Sequence, residues 1–240
     1  MRRVLVLLAS TTLLLAGGCG GKSYETRLDR TLDLKRYIRR LDENVLAAAK
    51  GKLEPNLIYV RPPMNMEGPM KEFAMTVLEP GRFDVAESYV DAEKKSSLHV
   101  LARLPKPKTP AGKKAPAPEP ARGDFVDDVA AELAKTYSIE VDKTKAKEET
   151  KKSLLNINKF KHLTLSTGGK TIQVYFQAVK QSYEVALIFE YPSEEIKSLN
   201  SKIDLTLESF ATGEMARRAF TGKDVEEETG EGGAAPGVAF

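Results

Sequence analysis

The chain has no tryptophan, one cysteine and two histidines in 240 residues. A lone Cys19 excludes an intramolecular disulfide, a zinc ribbon and a thiol-pair redox site. His99 and His162 stand apart from any Cys or carboxylate at metal-ligand spacing, so they read as strand or turn residues. No metal and no cofactor is expected. An excess of one charge is also missing. The 37 Lys and Arg against 34 Asp and Glu leave a net +3, which gives no support to a nucleic-acid partner. Long hydrophobic runs are absent beyond Val4 to Ala16, and those 13 residues are too few to span a bilayer, which takes roughly 20. Catalytic motifs are scarce too. No G-x-S-x-G occurs. Gly169-Lys170-Thr171 imitates the end of a phosphate loop, but Thr164 stands where that motif needs its first glycine. No catalytic residue is assigned.

What is present begins with an address. Met1-Arg2-Arg3 is basic, Val4 to Ala16 is apolar, and Gly17-Gly18 precede Cys19. That is the pattern of a secretory signal peptide over residues 1–18. The stretch Ala16-Gly17-Gly18-Cys19 resembles the lipobox of a bacterial lipoprotein precursor, with Ala16 where Leu is commonest. The resemblance implies cleavage before Cys19 and acyl chains on Cys19, palmitate among them. Several chains on one residue give stable anchoring, whereas one alone is marginal. The expected location is therefore the cell membrane or the outer membrane of an exporting bacterium, facing the periplasm or exterior. Residues 19–23 form a short tether.

Two polar stretches interrupt the rest. Residues 105–122 hold six of the 13 prolines and a net charge of +4, which forbids regular structure and reads as a solvated linker. Residues 221–240 carry Glu226-Glu227-Glu228, five glycines and a net −4, and read as a disordered tail. Setting aside the leader, loop and tail leaves 184 residues, the tether 19–23 with 24–104 and 123–220. One domain or two is left open by the pattern.

Within 24–104, Tyr24, Leu28, Leu34, Ile38, Leu41, Val45 and Ala48 predict one apolar stripe on a helix over 24–49, capped by Ser23 and followed by Gly51. Its basic residues, interleaved with Asp29, Asp33, Asp42 and Glu43, fit a helix packed on its own domain better than one lying on anionic headgroups. Strands are expected at Leu57–Val60 and Leu98–Leu104, with Phe83–Val90 uncertain. Met64, Met66 and Met70 read as gap-fillers in a loop.

Within 123–220, Asp124 caps a helix whose inner side carries Phe125, Val129 and Leu133. Phe160–Leu165 and Thr171–Phe176 flank Gly168-Gly169, a hairpin signal. Tyr183–Tyr191 is the strongest strand, ended by Pro192. A last helix follows, capped by Ser193, lined by Ile196, Leu199, Ile203, Leu207 and Phe210, and stopped at Gly213. Ile139–Ser153 is charged and weakly patterned.

This order, closing on Glu208-Ser209-Phe210, resembles the PsbP-like fold shared with Mog-type Ran-binding proteins. The resemblance implies an α+β fold, a twisted antiparallel sheet flanked by helices in an α/β/α sandwich. It also implies binding or assembly rather than catalysis. The expected function is a membrane-anchored, non-enzymatic envelope module with an envelope protein as partner. The rivals are an envelope hydrolase using carboxylates the sequence does not place, and a passive structural lipoprotein.

Overall fold

The structure is a computed structural model that describes residues 21–45, 48, 51–73, 75, 81–93, 95–106, 123–154, 156–178 and 182–221. The signal-peptide residues, Cys19, most of the Pro-rich stretch (107–122) and the acidic tail from Gly222 onward lie outside them. Two compact units are present, Met1–Asp42 and Glu43–Phe240.

The first unit is represented by α1, Gly21–Asn44, whose last two residues fall in the second. The helix ends five residues before the expected Ala49. At its end Met64 N donates to the Asn44 carbonyl at 3.0 Å, and Val45 enters a β-bridge with Pro63. Asn44 and Val45 already belong to the second unit, and these backbone contacts within it take the chain out of the helix before the apolar period runs out. The helix also starts at Gly21, ahead of the expected cap Ser23. The expected single stripe divides. Leu41 and Val45 are buried, while Tyr24, Leu28 and Ile38 are exposed; outside that stripe, Tyr37 is buried and Leu32 exposed.

The second unit is built on a seven-stranded, wholly antiparallel sheet. Its strands are β2 (Met66–Glu67), β3 (Val85–Asp91), β4 (Ser97–Arg103), β5 (Lys147–Lys152), β6 (Ile157–Thr167), β7 (Lys170–Ala178) and β8 (Glu184–Pro192). Their order is β2-β3-β4-β8-β7-β6-β5. β4 pairs with β8 from Ser97↔Glu190 to Arg103↔Glu184, so strands before and after the Pro-rich stretch share one sheet. A separate two-stranded pair joins β1 (Ile58–Tyr59) to β9 (Ala211–Thr212).

Alternation along β8 explains the layers. Val185, Leu187, Phe189 and Tyr191 point to one core, while Ala186 and Ile188 point to the other. Being buried on both faces, β8 reads as a continuous apolar run, which is why it is the clearest strand in the sequence. On one face lies α2, Phe125–Tyr137, contributing Phe125, Val129 and Leu133. Asp124 caps it as expected, its Oδ1 accepting from Val126 N at 2.9 Å and Asp127 N at 3.2 Å. On the other face lies α3, Ile196–Ser209, contributing Ile203 and Leu207, with Phe210 just beyond its end. The fold is therefore α+β, an antiparallel sheet between helices.

The β6–β7 hairpin turns at Gly168-Gly169 between the paired Thr167 and Lys170. Both glycines have positive φ, +55° and +80°, as a two-residue type I′ turn requires. Two expectations at the last helix need correction. Ser193 does not cap it. A 3-10 turn, Ser193–Glu195, precedes Ile196, no side-chain cap bond forms, and the Ser193 hydroxyl pairs with Thr171 at 2.9 Å. Gly213 does not end the helical region. With φ +62° it divides β9 from a further helix, α4 (Gly213–Thr221), whose Phe220 packs edge-on against Tyr59 at 5.0 Å.

The edge strand β5 falls in the stretch Ile139–Ser153 that has no apolar pattern. Its sequence Lys-Glu-Glu-Thr-Lys-Lys shows no apolar alternation because an edge strand needs little burial. Its charges also deter pairing with another chain.

Candidate functional site

Among the polar side chains that collect on the sheet are three closed networks and an open cleft. The first network lies under the C-terminal end of α2. His99, fully inside on β4, has Nδ1 2.8 Å from the Ser88 hydroxyl and Nε2 2.9 Å from the Ser97 hydroxyl. The ring of Phe73 meets it edge-on at 5.7 Å. Glu190 on β8 is its neighbour, 3.9 Å from Nε2. The Tyr137 hydroxyl donates to Glu190 Oε2 at 2.6 Å, and the Lys170 ammonium pairs with Oε1. Burial opposes ionisation of Glu190, but the His99 ring, the Lys170 ammonium and the Tyr137 hydroxyl outweigh it and hold the carboxyl at about 2. Burial and the bond to Glu190 push the Tyr137 phenol up.

The second network closes the opposite end of the α2 footprint. Arg103, the last residue of β4, is buried between the rings of Phe83 and Phe125, 5.6 and 5.4 Å from their centroids. Its guanidinium pairs with Asp128, lies 3.8 Å from Glu184, and donates to the Arg82 and Gly123 carbonyls at 2.9 Å each. Arg103 and Gly123 flank the Pro-rich stretch, so this side chain fastens the point where the chain leaves the sheet to the point where it returns.

The third network is on the α3 face. His162 stacks on Tyr175 with centroids 4.3 Å apart, and its Nδ1 is 3.0 Å from Glu149. Burial lowers the His162 pKa against the pull of Glu149. Lys151 bridges Glu149 and Asp204 at 2.5 Å each, joining β5 to α3.

The fourth group is different. Beyond the edge of α2, the same face of the sheet forms a cavity of about 420 Å³ between β5, β6, β7 and Val126. Register explains its lining. Glu148, Lys161 and Phe176 lie in one cross-strand row, and Thr150 and Lys159 in the next. Phe176 supplies an apolar floor, and Lys159 and Lys161 stand exposed at the rim. Neither lysine makes an ion pair among the described residues. The arrangement can hold a group that is part apolar and part anionic.

The sequence-singled residues fall as follows. His99 and His162 are in separate strands and on opposite faces, each engaged by its own partners, and no metal-holding group of three is found among the described residues. Lys170 of the phosphate-loop imitation follows a hairpin turn and pairs with Glu190. Asp127 pairs with Lys143, and Asp128 with Arg103. Met66 is buried against the core, as a gap-filler should be, while Met70 is exposed. Cys19, the one residue expected to carry a modification, lies outside the described residues. The sequence places Lys161 and Phe176 in strands but marks neither them nor Lys159 as a site. Their signal is the alternation Lys159-Phe160-Lys161, which places two cations on one face of a strand.

No family model matches the chain, and no curated protein matches it. Among solved structures, it is similar to cyanobacterial PsbP from Synechocystis sp. PCC 6803, with 14% identity and a TM-score of 0.38, over 71% of this chain and 94% of that one. It is also similar to the Ran-binding protein Mog1p of Saccharomyces cerevisiae, with 12% identity and a TM-score of 0.35, over 70% of this chain and 96% of that one. Both are likenesses of fold, a weak PsbP- and Mog-like arrangement of one antiparallel sheet between helices.

Proposed function

We propose that this chain is a membrane-anchored envelope lipoprotein that acts as a non-enzymatic binding or assembly module. The carrying observation is the contrast between the cleft and the other polar groups. His99, Glu190, Arg103 and His162 are engaged in closed networks, and each is paired within the fold. The cleft is open and has an apolar floor, and its Lys159 and Lys161 make no ion pair among the described residues, with Glu148 in the row of Lys161 the nearest carboxylate across the strands. Such a lining suits an envelope protein that offers an apolar side chain beside a carboxylate.

The anchor rests on the leader and the lipobox-like Ala16-Gly17-Gly18-Cys19. Two measurements test the reading. Cys19→Ala is expected to abolish incorporation of labelled fatty acid and to move the chain from the membrane to the soluble fraction. Retained label would refute the anchor. A photo-crosslinking side chain at position 161, in living cells, is expected to give a discrete protein adduct that Lys159→Glu removes. The same probe at exposed position 93 is expected to give none. Equal adducts from both positions would remove the cleft as the binding surface.

A further inference from the structure

The helix α1 carries a face of large apolar side chains that stand exposed. Tyr24, Leu28, Leu32 and Ile38 are 67%, 45%, 41% and 43% exposed, although all are large and apolar. At 100° per residue they fall, with Thr31, Lys35 and Arg39, on one face of the helix. From Tyr24 to Arg39 that face has no carboxylate. Asp29 and Asp33 lie on the opposite side, Glu25 lies at the border, and Asp42 follows one turn later. Arg36 is turned to Asp33 at 3.1 Å, but Lys35 and Arg39 make no ion pair among the described residues.

We propose that α1 lies flat on an anionic lipid surface through the face that carries Tyr24, Leu28, Leu32, Lys35, Ile38 and Arg39. Crossing the bilayer is excluded by composition. Twelve of its 24 residues are charged, and no described helix is long and apolar enough to span. Lying in the interface satisfies both halves of the face. The apolar side chains enter the headgroup boundary, while the long stems of Lys35 and Arg39 reach outward to phosphate. A second copy of the chain is a poorer occupant, because it would bring the same cations with only Asp42, one turn beyond them, and Glu25 at the border to meet them. Each cation near an anionic surface contributes about 1 kcal/mol, which is modest alone. The proposal therefore builds on the membrane-anchored reading. An acyl group on Cys19, two residues ahead of α1, would hold the helix at high local concentration beside the lipid.

The chain has no tryptophan, so a single introduced one reports its own position. The full chain carrying Leu28→Trp, reconstituted into vesicles with brominated acyl chains, is compared with Asp33→Trp on the opposite side. In vesicles containing phosphatidylglycerol, tryptophan at 28 is expected to be quenched about three-fold more than at 33, as for a helix buried on one face. Adding Lys35→Glu and Arg39→Glu, or replacing phosphatidylglycerol with phosphatidylcholine, is expected to remove most of that difference. Equal quenching at 28 and 33 overturns the proposal. So does a blue shift at 28 that grows with protein concentration without vesicles, which would make the face a contact between copies. Fatty-acid labelling of the same chains reads the anchor separately. One-sided quenching without label supports the helix and refutes the anchor, and label without one-sided quenching does the reverse.

Discussion

The face of the sheet that bears α2 carries charged residues both beneath the helix and beyond its edge, and the two sets behave differently. Beneath the helix, Arg103 is paired with Asp128, and Glu190 with Lys170 and Tyr137. Beyond the edge, Lys159 and Lys161 stand in water on the same face with no partner among the described residues. Desolvation makes the difference. A charge covered by a helix loses hydration and must recover it from a neighbour, whereas an exposed ammonium keeps its water. Pairing beneath the helix thus follows from the fold, and the unpaired lysines are left for a partner.

The comparison breaks most visibly at Arg103. Arg103→Ala leaves Asp128 without its buried partner and two carbonyls without donors, and is expected to cost about 3–5 kcal/mol. Urea unfolding measures it, and protease cleavage within 105–122 should accelerate as the two ends of that stretch part. A loss within the range of surface substitutions would mean that the cluster does not fasten them.

The opposite face gives an intermediate case. Asn158 Nδ2 donates to the Leu207 and Phe210 carbonyls at 2.9 and 2.7 Å, closing the C-terminal end of α3 onto β6. Asn158→Ala is expected to cost about 1–3 kcal/mol, because both carbonyls lose a buried donor. An unchanged urea midpoint would show that water replaces the amide.

Glu190 sharpens the comparison through pH. Its carboxyl is held at about 2 when folded, below the ordinary 4.5 of the unfolded chain. Protonation therefore favours the unfolded state. The stabilisation is fully present above pH 4.5 and is lost as pH falls through about 2. Glu190→Gln is expected to flatten this part of the acid-unfolding profile. A profile as steep as that of the wild type would show that other carboxylates carry the acid sensitivity.

The smallest stability effect belongs to the cleft. Lys159→Gln with Lys161→Gln is expected to change stability by less than about 0.5 kcal/mol, since neither side chain is paired or covered. Circular dichroism during thermal unfolding checks it. A large loss would place the lysines among the structural groups and remove the cleft's distinction.

Much of the fold is written locally. Buried on both faces, β8 announces itself by its unbroken apolar run, Gly168-Gly169 by the positive-φ turn that glycine favours, and Asp124 by its capping oxygen. The edge strand β5 is hidden because its six residues bury almost nothing, and α4 because Gly213 resembles a stop as much as a hinge. At Ser193 a cap was legible, but a hydroxyl on a neighbouring strand, Thr171, claimed it instead. The candidate site was less legible than the fold. Lys159 and Lys161 are ordinary strand-surface lysines until register sets them around Phe176.

By itself, the sequence determined what depends on near neighbours along the chain. These are the helical and strand periods, the caps and turns, and the exclusion of disulfide and thiol-pair chemistry by a lone Cys19. Only the tertiary structure decided that strands on both sides of the Pro-rich stretch share one sheet, through β4 against β8. It alone decided which charges are buried and paired and which stand free. Pairing between strands and desolvation beneath a helix depend on residues far apart in the chain, as with Ile58 and Thr212 across β1 and β9, and no local period records them.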